Sequence, residues 1–258
     1  MKKTLYLILA FSINCYLPKA QTEQPTIDLL GKGISLEGGV GFASITDNYI
    51  STEKYEGKVS SFASSWTRSN VSSGYRLSFD YLGSSEIKNH TIAADVLQGG
   101  LSLDYMYSIG KFNLLHKEVY FYIGPSPDLF LYYRKQQIAS GGNAMFDAYS
   151  FAMFVSMGVN STFVMPLSSK LFIENQDKIA LFSIGGRLAD INDKRSTFFK
   201  STTAVSDVRG YSQFMIRYDL NKSLSLKTGY KFNICQSSSW DYLISVSDNL
   251  LFALTVRL

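Results

Sequence analysis

Three observations predict an all-β fold, an antiparallel transmembrane β-barrel of about ten strands. The first is the C-terminal stretch 223–258, which holds two runs of alternating character. Leu224, Leu226, Thr228, Tyr230, Phe232 and Ile234 alternate with Ser225, Lys227, Gly229, Lys231 and Asn233. Leu250, Phe252, Leu254, Val256 and Leu258 alternate with Asn249, Leu251, Ala253, Thr255 and Arg257. A two-residue period held for about ten residues describes a strand with one face in an apolar medium. The second observation is that the pattern recurs along most of the chain with aromatic ends, as strands that cross a bilayer require. The third is composition: 17 Tyr and 18 Phe suit membrane–water interfaces, where a ring with a polar tip sits well. Mean hydropathy is near zero, far below that of a helical membrane protein, because a barrel hides half of each strand from lipid.

The ends and the charge balance set the remaining bounds. Lys2 and Lys3 precede an apolar run at 5–13, too short to span a bilayer, so residues 1–20 read as a signal peptide cut after Ala20. Lipoprotein processing at Cys15 is the rival, although Ser12-Ile13-Asn14 lacks the usual preceding leucine. Cleavage after Ala20 leaves Cys235 as the sole thiol and excludes an internal disulfide. Residues 21–32 then form a periplasmic leader and 33–258 the barrel, with no second domain and no internal repeat. The formal charge of +4 is dispersed, and no Lys/Arg block suggests nucleic acid.

Each strand is read in turn. Near 33–45, Ile34, Leu36, Val40 and Phe42 share one face, and Ser35, Glu37, Gly39 and Gly41 the other; glycines on the inner face make room or relieve curvature. A polar loop is expected at 46–57, then a Ser-diluted strand at 59–68 and a turn at 69–73. Tyr75, Leu77, Phe79 and Tyr81 oppose Arg76, Ser78 and Asp80, and the loop that follows holds His90 and Asp95. Leu101, Leu103, Tyr105 and Tyr107 oppose Ser102, Asp104, Met106 and Ser108, with a turn at 111–116. A long strand at 119–135 keeps odd positions outward on both sides of Gly124-Pro125-Ser126-Pro127. Proline cannot donate to a ladder, so a bulge is expected there.

Gly141-Gly142-Asn143 marks an outer loop. Residues 148–169 carry no charge and are long enough for a membrane helix, yet Phe151, Met153, Val155, Met157 and Val159 alternate with Ala152, Phe154, Ser156, Gly158 and Asn160. Pro166 also suits a lone spanning helix badly, so a strand is expected. The strand at 171–187 has ambiguous parity because Asn175-Gln176-Asp177-Lys178 interrupts it. A long polar loop at 189–207 precedes Phe214, Ile216, Tyr218 and Leu220, which oppose Gln213, Met215, Arg217 and Asp219. Asn221-Lys222 turns into the C-terminal hairpin. The sum is ten strands, with eight or twelve as alternatives.

The inner face then collects Glu37, Arg76, Asp80, Asp104, Asp128, Arg134, Arg217, Asp219, Lys227, Lys231 and Arg257. Charges buried singly are costly, so these should pair or meet water. A polar filling of a narrow lumen is the plainest reading; a solute path or a catalytic cluster are the others. Barrel lipid hydrolases use a His-x-Ser pattern, and neither His90-Thr91-Ile92 nor His116-Lys117-Glu118 has it. An omptin-type protease needs a His-Asp couple with further carboxylates at the outer rim, for which only His90 and Asp95 offer themselves. Two distant His and one Cys make no metal-ligand set, no cofactor motif is evident, and no residue is assigned a catalytic role. The sequons at Asn70, Asn89, Asn160 and Asn221 have no use outside a eukaryotic secretory route.

The signal segment, the aromatic strands and the Leu250-to-Leu258 finish resemble small outer-membrane β-barrel proteins of Gram-negative bacteria, and Gln21 after the cut is similar to those of Bacteroidetes. Leu258 departs from the Phe that commonly ends such barrels. The resemblance implies an outer-membrane location, contact with outer-membrane lipid, insertion by the barrel-assembly machinery and possible membership of a larger outer-membrane complex. Two functional classes follow: a non-enzymatic barrel (structural protein, narrow channel or accessory subunit), or a barrel hydrolase acting on lipid or peptide.

Overall fold

A computed structural model describes residues 30–48, 50–70, 72–89, 92–139, 145–188, 200–238 and 242–258. Among them are eleven strands and no helix: β1 (Gly33–Asp47), β2 (Ser51–Ser69), β3 (Ser73–Lys88), β4 (Ala93–Leu114), β5 (Lys117–Ala139), β6 (Met145–Pro166), β7 (Leu171–Leu188), β8 (Lys200–Thr203), β9 (Asp207–Asp219), β10 (Leu224–Ser237) and β11 (Leu243–Arg257). Each pairs antiparallel with its neighbour. Ten of them close into a barrel, because β6 pairs with β7, β7 with β9, and β11 with β1. The short β8 pairs with β7 from Phe182↔Thr203 to Gly185↔Lys200 and leads through a turn into β9, which takes over β7 below Ile179. Part of the loop expected at 189–207 is therefore strand; 189–199, like 1–29, His90 and Gly141-Gly142-Asn143, lie outside the described residues.

The alternation sorts the two surfaces. On β11, Phe252 is 59% exposed while Leu251 is 3% and Asn249 1% exposed; on β1, Val40 is 62% exposed while Ser35 is 7%. A wall of exposed Leu, Ile, Val and Phe, with Tyr75, Tyr105, Tyr107 and Tyr218 towards one end and Tyr81, Tyr133 and Tyr149 towards the other, is the surface a bilayer requires. The charge-free stretch forms a strand as far as Pro166, with Ser150, Ala152, Phe154, Ser156 and Asn160 buried and Val155 and Met157 exposed.

Several strands outrun the stretches that the alternation marks. Residues 51–57, expected in a loop, belong to β2, and Asp95 lies exposed on β4. Here Lys54, Glu56 and Lys58 face outward and Tyr55 and Val59 are buried inward, so no apolar outer face marks the strand. At the opposite end β4 and β5 continue past the other strands: β3 reaches β4 only at Ser73↔Tyr107, and β6 reaches β5 only at Tyr120↔Val164. The turn expected at 111–116 shrinks to Leu115 and His116, with φ of 51° and 60°, the two left-handed residues of a tight hairpin. Val119, expected to face outward, is buried, and Lys117 two residues before it donates from Nζ to the Leu167 carbonyl at 3.2 Å.

The two prolines make no bulge. Register with β6 runs unbroken through Gly124↔Asn160, Pro125↔Val159 and Pro127↔Met157, and the shift on the β4 side falls instead between Ser108 and Gly110, where Gly110 has φ 146°. The ladder between Ser102↔Asp128 and Tyr107↔Ile123 simply goes unpaired, because Pro125 and Pro127 have no N–H to give. Asn160 repairs the loss. Its side-chain amide donates to the Tyr105 carbonyl at 2.9 Å and to the Gly124 carbonyl at 3.1 Å, reaching past a residue whose Cβ would collide with Tyr105. Asn160→Val should therefore destabilise the barrel by about 1–3 kcal/mol in urea titrations in micelles, the cost of stranding a buried carbonyl. A neutral result would mean that water already serves Tyr105.

Parity in β7 does break, but not at the polar run. Glu174, Gln176 and Lys178 face inward and Ser183 and Arg187 do too, because the register skips Leu181 between Met157↔Phe182 and Gly158↔Ala180. Three sequon asparagines have local work. Asn70 Oδ1 accepts from the Ser72 and Ser73 amides, Asn221 Oδ1 from Ser223 and Leu224, and Asn89 Oδ1 from Ile92, each bracing a turn.

Candidate functional site

The short turns after β2, β4, β6 and β9 lie at one end with Gly33 and Arg257, while the other end holds the longer connections after β5, β7 and β10 together with the short ones after β1 and β3. In bacterial barrels short turns are periplasmic, which orients the lumen. Its filling changes from polar to apolar along that axis.

At the short-turn end a chain of charges runs Lys227–Glu174–Arg217–Asp219–Arg257. Lys227 meets Glu174 at 2.7 Å, Arg217 Nε meets Asp219 at 3.2 Å, and Arg257 meets Asp219 at 2.5 Å, while Arg217 also contacts Glu174. The Arg217 guanidinium lies 4.0 Å from the centre of the Phe172 ring, an arrangement that favours the cation. Arg257 thus pairs two strands away, and not with Glu37 on β1, the strand beside it. Register explains the difference: Arg257 stands opposite Gly33, and Glu37 stands opposite Ala253, where it accepts the Gln213 amide at 3.0 Å.

A second group sits at mid-height. Asp104 is fully buried and takes Lys178 at 3.4 Å, Gln176 at 3.3 Å and the Ser126 hydroxyl. Asp128 takes Arg209 at 2.6 Å and Lys178 at 3.6 Å, and Arg209 also reaches Ser156 between the rings of Phe130 and Phe154. Arg76 bonds to Gln176, and Asp80 lines the cavity beside it. Lys231 stands with its ammonium 4.4 Å from the centre of the Tyr211 ring.

Towards the far end the lumen turns apolar. Ile45, Tyr55, Val59, Leu82, Ile87, Val96, Tyr132, Phe154 and Leu243 form one buried cluster across the bore. Within it Asp47 binds Arg187 and accepts the Tyr132 hydroxyl at 3.3 Å, and Arg187 bonds Ser150 at 2.7 Å. Arg134, fully buried, stacks 3.9 Å from the centre of the Tyr55 ring and bonds Gln136. A polar filling is the plainest reading of the sequence; at this end of the bore apolar side chains pack instead.

All eleven charged residues assigned to the lumen by alternation lie on the inner face. Sequence reading missed Asp47, Glu174, Lys178, Arg187 and Arg209. The β7 members were hidden by the parity break, and Asp47 and Arg209 sit beyond the strand stretches that alternation marked out. His116 is exposed in the short-turn hairpin, far along the chain from the outer rim, and Asp95 faces outward. Neither joins another ionisable group in a catalytic arrangement among the described residues.

One feature of the outer wall stands apart. Asn175 and Asp177 point outward and bond to each other at 2.8 Å. Asp177 stands in register with Ser161 on β6 and Ser212 on β9, both outward as well. Ile173, Phe163, Phe214 and Ile216 surround this island below, and Ile179 and Val159 above. It is a polar patch inside the apolar belt.

No protein-family profile matches this chain, and no curated protein matches it. Among solved structures, it is similar to the outer membrane protease OmpT from Escherichia coli, with a TM-score of 0.52 at 8% identity over 90% of this chain and 99% of that one. It also matches the translocator domain of the autotransporter NalP from Neisseria meningitidis (TM-score 0.43, 8% identity, 100% and 95% covered) and Ail of Yersinia pestis (TM-score 0.31, 7% identity, 87% and 98% covered). The likeness to OmpT is one of fold, that of Gram-negative outer-membrane β-barrels; the other two carry no argument at these scores.

Proposed function

We propose that this protein is a non-enzymatic, non-conducting barrel of the bacterial outer membrane that serves as an accessory subunit of a larger outer-membrane complex. Export by residues 1–20 and insertion by the barrel-assembly machinery belong to this reading. The observation that carries it is the apolar cluster from Ile45 to Leu243, which packs across the bore and supports a lumen closed to solutes. Ten strands enclose little space, whereas open aqueous channels belong to barrels nearer sixteen. The patch around Asp177 supports the subunit role. A charge on the lipid face of a barrel costs free energy unless something covers it. A partner barrel or lipid-embedded protein that offers hydrogen-bonding side chains would do so.

Two measurements test the proposal. Purified protein in planar bilayers should give no steady ion current, and large, stable openings would refute the closed bore. A photo-crosslinking residue placed at Asp177 in native membranes should capture a discrete partner, while one at Leu36, on an uninterrupted apolar stretch, should capture none. Equal yields from the two positions would refute the docking face.

A further inference from the structure

Between the charge chain and the apolar cluster lies a cavity of ≈ 80 Å³ that opens at the short-turn end, and its lining carries five cationic against three anionic side chains. Lys227 is matched by Glu174, and Arg257 by Asp219. Among the described residues Arg76, Lys231 and Lys32 have no carboxylate within ion-pair distance; they share the cavity with Glu37, which accepts the Gln213 amide, with Asp80, and with Glu174, which Lys227 and Arg217 already engage. The neighbouring charge chain adds only Arg217 and Asp219 to this set, one charge of each sign, and so leaves the imbalance as it is. The mid-height group of Lys178, Arg209, Asp104 and Asp128 is neutral and corrects nothing.

Excess charge of one sign inside a protein wall is costly, and the cost falls when a counter-ion enters. We infer that this cavity binds a small oxyanion from the periplasm, held by Arg76 and Lys231 with Lys32 at the mouth. The chemistry of the cations chooses an oxyanion over a halide. Arg76 spends one amino group on Gln176 and keeps the rest of a planar fork that matches two oxygens. Lys231, held over Tyr211, supplies a compact charge from the opposite wall. The space suits a group of phosphate or small-carboxylate size with a few waters, and not a sugar or a peptide. The site opens to the lumen and not to the lipid-facing wall, so the source is a dissolved anion and not a lipid headgroup.

The test uses full-length mature protein in a phosphate-free, lipid-free detergent solution. Inorganic phosphate should broaden in its ³¹P resonance and raise the unfolding temperature saturably, beyond sodium chloride at the same ionic strength. Arg76→Gln with Lys231→Met should weaken that binding by roughly tenfold or more, the loss of two charge-assisted contacts, whereas Lys231→Arg should retain it. Folding of each variant is read from its heat-dependent gel mobility. If the double variant does not fold, Lys231→Met alone carries the same comparison. Acetate replaces phosphate in a parallel arm; stabilisation by acetate but not phosphate would still place an oxyanion in the cavity and name it a carboxylate. Chloride matching both oxyanions, or binding undiminished in the folded variants, overturns the assignment.

Discussion

Leu254→Arg is expected to abolish most assembly, while Thr255→Arg, one residue along, leaves it largely intact. Leu254 stands on the outer face between Leu36 of β1 and Leu226 of β10, so the substitution sets a guanidinium among aliphatic side chains and lipid. The cost is roughly 2–4 kcal/mol at the midplane of a bilayer and falls towards either interface. Leu250→Arg, further from the strand end, should therefore be worse still. Thr255 points the other way. Its hydroxyl meets Ser35 Oγ at 3.0 Å at the mouth of the lumen, where a long basic side chain reaches water. The folded, heat-modifiable fraction after refolding into liposomes gives the comparison. Equal tolerance would mean that the outer face of β11 does not meet lipid, and the reverse order would mean that the faces are exchanged.

The second large effect is expected at Asp47. Its carboxylate is fully buried, binds an Arg187 that is nearly so, and takes the Tyr132 hydroxyl. Asp47→Ala removes the carboxylate that faces a buried guanidinium and a phenol within an apolar cluster, a loss of about 3–5 kcal/mol. Removing the charge as well, in Asp47→Ala with Arg187→Met, should recover a substantial part, because an uncompensated buried charge costs more than a missing pair. Urea unfolding of the three proteins in micelles decides the matter. A single-variant loss below about 1 kcal/mol, the value of a solvent-screened pair, would show that water enters beside Arg187.

What the sequence discloses about this barrel depends on what each residue faces. Where a strand has lipid on one side and lumen on the other, as at Leu250 to Val256 or Phe151 to Val159, alternation marks both the strand and its faces, and the eleven luminal charges follow from it. Where the outward side chains are charged, as at Lys54, Glu56 and Lys58, no apolar outer face marks the strand and it reads as loop. Parity also fails as a guide past an inserted residue, which is why Leu181 hid the inward set of β7. Pairing across the bore was the least legible part. Asp219 and Arg257 meet because of the stagger between strands, a quantity that no run of local residues encodes.

The seam between β1 and β11 has a kinetic meaning. It joins Ser35 to Thr255, 220 positions apart, in a ladder that runs the whole length of β1. Until that seam forms, both strands carry open rows of backbone donors and acceptors, a template for any other strand nearby. Ring closure over so long a span is entropically slow and gives nothing back until it is nearly complete. A nascent chain of this kind is therefore exposed to mispairing for most of its folding time, and the closing step is where a chaperone or insertion catalyst has the most to gain.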